Sequence, residues 1–75
     1  MKELLEYIAK SLVDRPEEVS VTVKESEYSI VMELKVAETD MGKIIGRQGR
    51  IAKAIRTVMR AAAARNDVRV TVEID

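Results

Sequence analysis

The chain has no cysteine, no histidine, no phenylalanine and no tryptophan, and only two tyrosines in 75 residues. Without cysteine there is no disulfide framework. Without histidine the commonest metal ligand and general base is missing. Catalysis would fall to carboxylates, lysine or tyrosine. The acids at Glu17-Glu18 and at Glu25 and Glu27 read as turn or surface groups, and spacing assembles no nucleophile, base and orienting partner. No catalytic residue, metal site or cofactor is expected, and the chain is not expected to be an enzyme. No stretch approaches the roughly 20 apolar residues that span a bilayer, so no membrane insertion is expected. Residues Met1 to Lys10 alternate charged and apolar side chains and lack the uninterrupted apolar core of a leader. A soluble, cytoplasmic protein is the expectation.

What is present is enough for one domain, residues 1–75, with marginal stability for its size. Hydrophobic residues make up 47% of the chain, much of it Ile, Leu and Val. The core must therefore be aliphatic.

Formal net charge is zero, but its distribution is lopsided. Residues 1–40 carry ten acids and five bases. Residues 41–69 carry eight bases (Lys43, Arg47, Arg50, Lys53, Arg56, Arg60, Arg65 and Arg69) against the single acid Asp67. Such asymmetry inside one domain points to an anionic partner. A solvated helix face is the simpler alternative.

Residues 2–13 have the spacing of an amphipathic helix, with Leu4, Leu5, Ile8, Leu12 and Val13 near one face. Pro16 restricts Arg15, which should end that helix near Asp14. Val19, Val21 and Val23 alternate with polar residues, as do Tyr28, Ile30, Met32, Leu34 and Val36. The break at Glu25-Ser26-Glu27 makes them an antiparallel hairpin, with Tyr28 on the buried side. Asp40 is placed to cap a short helix, Met41 to Ile45, that Gly46 stops. Gly49 opens a longer helix reaching about Arg65, with Ile51, Ala52, Ile55, Val58, Met59 and Ala62 on its buried side. Asn66 and Asp67 form a turn, and Val68, Val70, Val72 and Ile74 mark a last strand. The order is α-β-β-α-α-β. It predicts an α+β fold: a three-stranded mixed sheet with helices covering one face.

The most informative stretch is Asp40 to Ile51, which contains Ile44-Ile45-Gly46-Arg47-Gln48-Gly49-Arg50. A bare G-x-x-G is a weak signal. Here it lies between two helical segments, with basic residues inside and beside it. Gly46 and Gly49 carry no side chain to keep a phosphate backbone away. Free amides at the start of the next helix favour an anion. Arg47 and Arg50 can each make bidentate contacts to phosphate. Lys53, Arg56 and Arg60 recur at spacings of three and four, continuing the charge along the helix. Ile44, Ile45 and Ile51 are candidates for an apolar floor under bases. The alternative is that Gly46 is merely a helix cap and Gly49 a turn residue. Other phosphate loops do not fit: G-x-G-x-x-G is absent, and Gly42-Lys43 is followed by Ile44 where a P-loop needs Ser or Thr.

With the I-I-G-R-Q-G-R run at 44–50 and A-I-R-T at 54–57, the sequence resembles a type II KH domain. In particular it resembles the small stand-alone proteins of the KhpA family, over essentially the whole chain. The resemblance implies a type II KH fold, with loop glycines at Gly46 and Gly49, a variable pair at Arg47 and Gln48, and a groove residue at Ile45. KH domains clamp about four single-stranded nucleotides beside this loop. The implied function is single-stranded RNA binding through Ile44, Ile45, Gly46, Arg47, Gln48, Gly49, Arg50, Lys53, Arg56 and Arg60. The implied role is that of an RNA chaperone or post-transcriptional regulator. The family further implies a larger Jag-type KH-containing partner, a homodimer, and a link to cell-wall homeostasis, elongation and division. A protein-interaction or dimerisation module, with RNA handled mostly by the partner, is the competing reading. Scarce aromatics motivate it, because many single-strand binders stack bases on aromatic rings. The long helix around Ala61–Ala64 and the outer sheet face are the two candidate docking surfaces.

Overall fold

The computed structural model describes residues 1–75. Its elements are α1 (Lys2–Leu12), β1 (Ser20–Glu25), β2 (Ser29–Lys35), α2 (Met41–Ile45), α3 (Arg50–Ala64) and β3 (Arg69–Ile74). Short 3-10 turns at Pro16–Glu18, Glu38–Asp40 and Arg47–Gly49 join them. The strand order is β1-β2-β3. β1 pairs antiparallel with β2, and β2 pairs parallel with β3. The α-β-β-α-α-β order and the mixed three-stranded sheet match the type II KH topology expected from the sequence.

Alternation along each strand sorts its side chains. Val21, Met32, Leu34, Val70 and Val72 are buried, while Thr22, Lys35, Arg69 and Thr71 face water. Leu5 and Ala9 of α1, Ile44 of α2, and Ile55, Met59 and Ala63 of α3 complete one aliphatic cluster. Full burial of a side chain the size of Leu or Ile contributes about 1.5–3 kcal/mol, so α2, only five residues long, is held by Ile44 and not by helix propensity.

Four expectations are corrected. Asp40 does not cap α2, which has no side-chain cap. Its carboxylate is 1% exposed and turns the other way. There it accepts the backbone N–H groups of Asp14 and Arg15, each at 3.1 Å. This capture also explains why α1 stops at Leu12, with Val13 already extended at φ −99° and ψ 160°. Tyr28 is 71% exposed, because it lies in the turn before β2 starts at Ser29. Leu12 and Val58 also reach solvent. In α3 the buried positions are Ala52, Ile55, Met59 and Ala63, which put Val58 at the margin of the face.

The end of α3 has no glycine, yet the chain reverses there. Asp67 takes a left-handed conformation at φ 56°. The N–H of Val68 donates to Ala63 O and that of Asp67 to Ala64 O, both at 3.2 Å. That is the Schellman arrangement, with Asp67 in the place glycine usually takes. It aims the chain directly into β3.

Candidate nucleic-acid interface

The G-x-x-G turn is built by two glycines that act differently. Gly46 has φ 75° and ψ 175°, a region open essentially to glycine alone. A β carbon there would come within 2.8 Å of Ile51 Cβ and 3.0 Å of its backbone nitrogen. The missing side chain of Gly46 therefore makes room for α3, not for a ligand. Gly49 has φ 74° and ψ 14°, and a β carbon on it would meet nothing within 4 Å. Its bare face opens outward. Between them Gln48 is itself left-handed, at φ 58°. The amides expected to be free are partly used. The N–H of Gly49 donates to Gly46 O at 3.2 Å, and that of Arg50 to Arg47 O.

Behind the turn stands the Asp40 clamp. Lys43 also bridges to Asp14 and sits 3.8 Å from Asp40. The hydrogen bond to Asp14 holds the Lys43 ammonium above its ordinary pKa. Lys43 thus spends its charge locally and adds nothing to the basic stripe.

An open furrow runs from the turn between α3 and the free edge of β3. At the turn end it is lined by Ile45, Gln48, Gly49, Lys53, Arg56 and Ile74. It continues past Arg56 and Arg60 against Val70, Thr71 and Val72, and ends beside Val68 and Arg69. The six ion pairs of the molecule involve the N-terminal amine, Arg15, Lys24 and Lys43. None involves Arg47, Arg50, Lys53, Arg56 or Arg60, so the positive field along α3 is left uncompensated.

The ten residues singled out from sequence do not all meet. Ile45, Gln48, Gly49, Lys53, Arg56 and Arg60 share the furrow. Arg47 and Arg50 are exposed beside the turn. Gly46 is packed against Ile51. Ile44 is fully buried in the core, so the apolar floor expected from Ile44, Ile45 and Ile51 is corrected. Ile45, 41% exposed, remains available, and its companions are Ala52 and Ile74. Sequence reasoning missed the β3 wall, from Val68 to Ile74. Its alternation was visible, but no residue in it says which sheet edge faces the long helix.

The topology and this groove define the class, a KH-type binding fold. A family profile described as "KhpA/KhpB, KH domain" matches residues 2–74. The chain is 66% identical over 74 residues to RNA-binding protein KhpA of Clostridium acetobutylicum, covering 99% of both chains. It is 55% identical to RNA-binding protein KhpA of Chlamydia pneumoniae, covering 99% of this chain and 95% of that one. A crystal structure of Aquifex aeolicus Era superposes with a TM-score of 0.68 at 20% identity, over 97% of this chain and 30% of Era. That likeness concerns the fold alone. The chain belongs to the KhpA/KhpB KH-domain family, a family of non-catalytic modules.

Proposed function

We propose that this chain binds single-stranded RNA along the furrow between α3 and β3, with the Gly46–Gly49 turn holding the backbone at one end. One observation carries the reading: an uncompensated basic stripe borders a furrow whose mouth is the open face of Gly49. Arg47, Arg50, Lys53 and Arg60 are exposed and neutralise phosphates. Ile45, Ala52 and Ile74 give bases an apolar surface in place of aromatic rings. The relatives, each an RNA-binding protein KhpA, agree with this.

The finer role rests on the family resemblance. The chain acts in the cytoplasm as an RNA chaperone or post-transcriptional regulator, beside a larger Jag-type KH-containing partner and in the service of cell-wall homeostasis. A single small groove binds modestly, and a second linked groove in a homodimer or in that partner raises the effective affinity. Val58, 46% exposed at the margin of the buried face of α3, favours the second reading, that α3 is also a protein contact.

The test is equilibrium binding to short single-stranded RNA at several salt concentrations, with an Arg47→Asp/Gln48→Asp variant alongside. About four neutralised phosphates give a slope of log K against log salt of roughly −3. The variant is expected to lose binding while remaining folded, since aspartate tolerates the left-handed conformation of position 48. Unchanged affinity in that variant rejects the loop as the site. A salt-independent interaction rejects phosphate contact altogether.

A further inference from the structure

Arg56 stands apart from the other cations of the stripe. Its Nε–H donates to the carbonyl oxygen of Val72 at 3.3 Å. Its side chain is half-buried, whereas Arg47, Arg50, Lys53 and Arg60 are exposed. No side-chain hydrogen bond or ion pair ties down any of those four. Because β2 occupies the other side of β3, Val72 O points from the free edge into the furrow. Arg56 therefore reaches across the floor and lines both halves of the furrow.

The tether decides what Arg56 can do. An arginine held through Nε has already given up much of its side-chain freedom. Its terminal amino groups keep their donors in a fixed plane, with no partner in the protein. Loose exposed cations suit a phosphate backbone, which runs where solvent still reaches it. A fork fixed low in the furrow, beside Ala52 and Ile74, meets the edge of a base lying on that apolar surface. Bringing a phosphate down there would strip its hydration, while a base edge brings only neutral acceptors.

Accepting the RNA-binding reading above, we infer that Arg56 is the base-reading residue of the furrow, selecting bases that present two adjacent acceptors on one edge. Guanine does so with O6 and N7, and unpaired cytosine with N3 and O2. Adenine sets a donor beside N7. Uracil separates its two carbonyls with N3–H. Guanine and cytosine are thus favoured over adenine and uracil at one position of the bound strand, while the exposed cations contribute without regard to sequence.

The experiment uses the full chain and eight-nucleotide oligouridylate carrying a single central guanosine, cytidine or adenosine, or none. An oligomer with 7-deazaguanosine is added, together with the Arg56→Lys and Arg56→Gln variants. Both variants keep a donor able to reach Val72 O, and circular dichroism checks that they are folded. The expected result is a preference of roughly 5- to 100-fold for guanosine or cytidine over adenosine and unmixed uridine. In Arg56→Lys, which keeps the charge, the preference disappears while the salt slope stays. A guanosine preference abolished by the 7-deaza base assigns the guanine edge, and a cytidine preference assigns the pyrimidine edge. Equal affinity for all oligomers in the unaltered protein overturns the inference and leaves RNA binding standing. So does a preference that survives in both variants. No binding to any oligomer at low salt overturns the RNA-binding reading, and this one with it.

Discussion

The two halves of the G-x-x-G turn are built on opposite principles. The first half, from Asp40 to Gly46, is a matter of packing. Asp40 and Ile44 are buried, and Ile51 leaves no room for a side chain at Gly46. The second half, from Arg47 along α3, is a matter of charge and open space. A β carbon on Gly49 would meet nothing, and the cations beyond it have no acidic partners. Two glycines three residues apart, identical in the motif, thus answer to different physical demands. The first keeps the scaffold in shape, and the second leaves room for what the scaffold holds.

Substitutions can break or sharpen that contrast. Gly46→Val has the largest expected effect. It combines overpacking with a forbidden backbone region, a loss of about 4 kcal/mol in urea unfolding, enough to unfold a domain of this size. A stable, well-folded variant would show that Ile51 yields easily, and the division would collapse. Asp40→Ala follows. It leaves the N–H groups of Asp14 and Arg15 without their acceptor, a loss of about 3 kcal/mol. Hydrogen exchange should quicken first at those two amides and in α2.

Gly49→Ala belongs to the other half. The left-handed backbone should reduce stability by about 1 kcal/mol, with no clash to add. Its RNA affinity should fall further than that stability change explains, measured on the folded variant. An affinity that merely tracks stability would make Gly49 another scaffold glycine. The smallest effect is expected at Lys43→Met, on an exposed ion pair. Because Asp14 raises the Lys43 pKa above its ordinary value of 10.5, the bridge favours the folded state from neutral pH up to about that value. Its contribution fades as pH rises through the elevated value. The variant should therefore lose the part of the alkaline stability decline that Lys43 causes, as read from thermal melts between neutral and alkaline pH.

Much of the fold was legible because alternation and helical spacing are local signals. Val21, Met32, Leu34, Val70 and Val72 sit on the inner face where period two puts them, and Ile55 and Met59 where period 3.6 does. The errors came where a distant group intervened. Asp40 looks like a cap to any reading of its neighbours, and only the fold brings Asp14 and Arg15, 26 and 25 residues away in sequence, to its carboxylate. Tyr28 continues the pattern of its strand but falls outside the paired register, which begins at Ser29. At the candidate site the cations of α3 were readable from spacing. The division of labour between Gly46 and Gly49 was not, because it depends on where Ile51 packs. Nor was the tether of Arg56, whose partner is a backbone carbonyl and leaves no trace in residue identity.

The order of the furrow's parts along the chain has a consequence for synthesis. The turn and α3 leave the ribosome before β3, and β3 supplies the opposite wall together with the carbonyl that steadies Arg56. A nascent chain that ends before Arg69 carries the positive helix but has no groove for it to border. On the proposed reading, discrimination between bases therefore depends on β3 lying parallel beside β2, because that strand both walls the furrow and steadies Arg56.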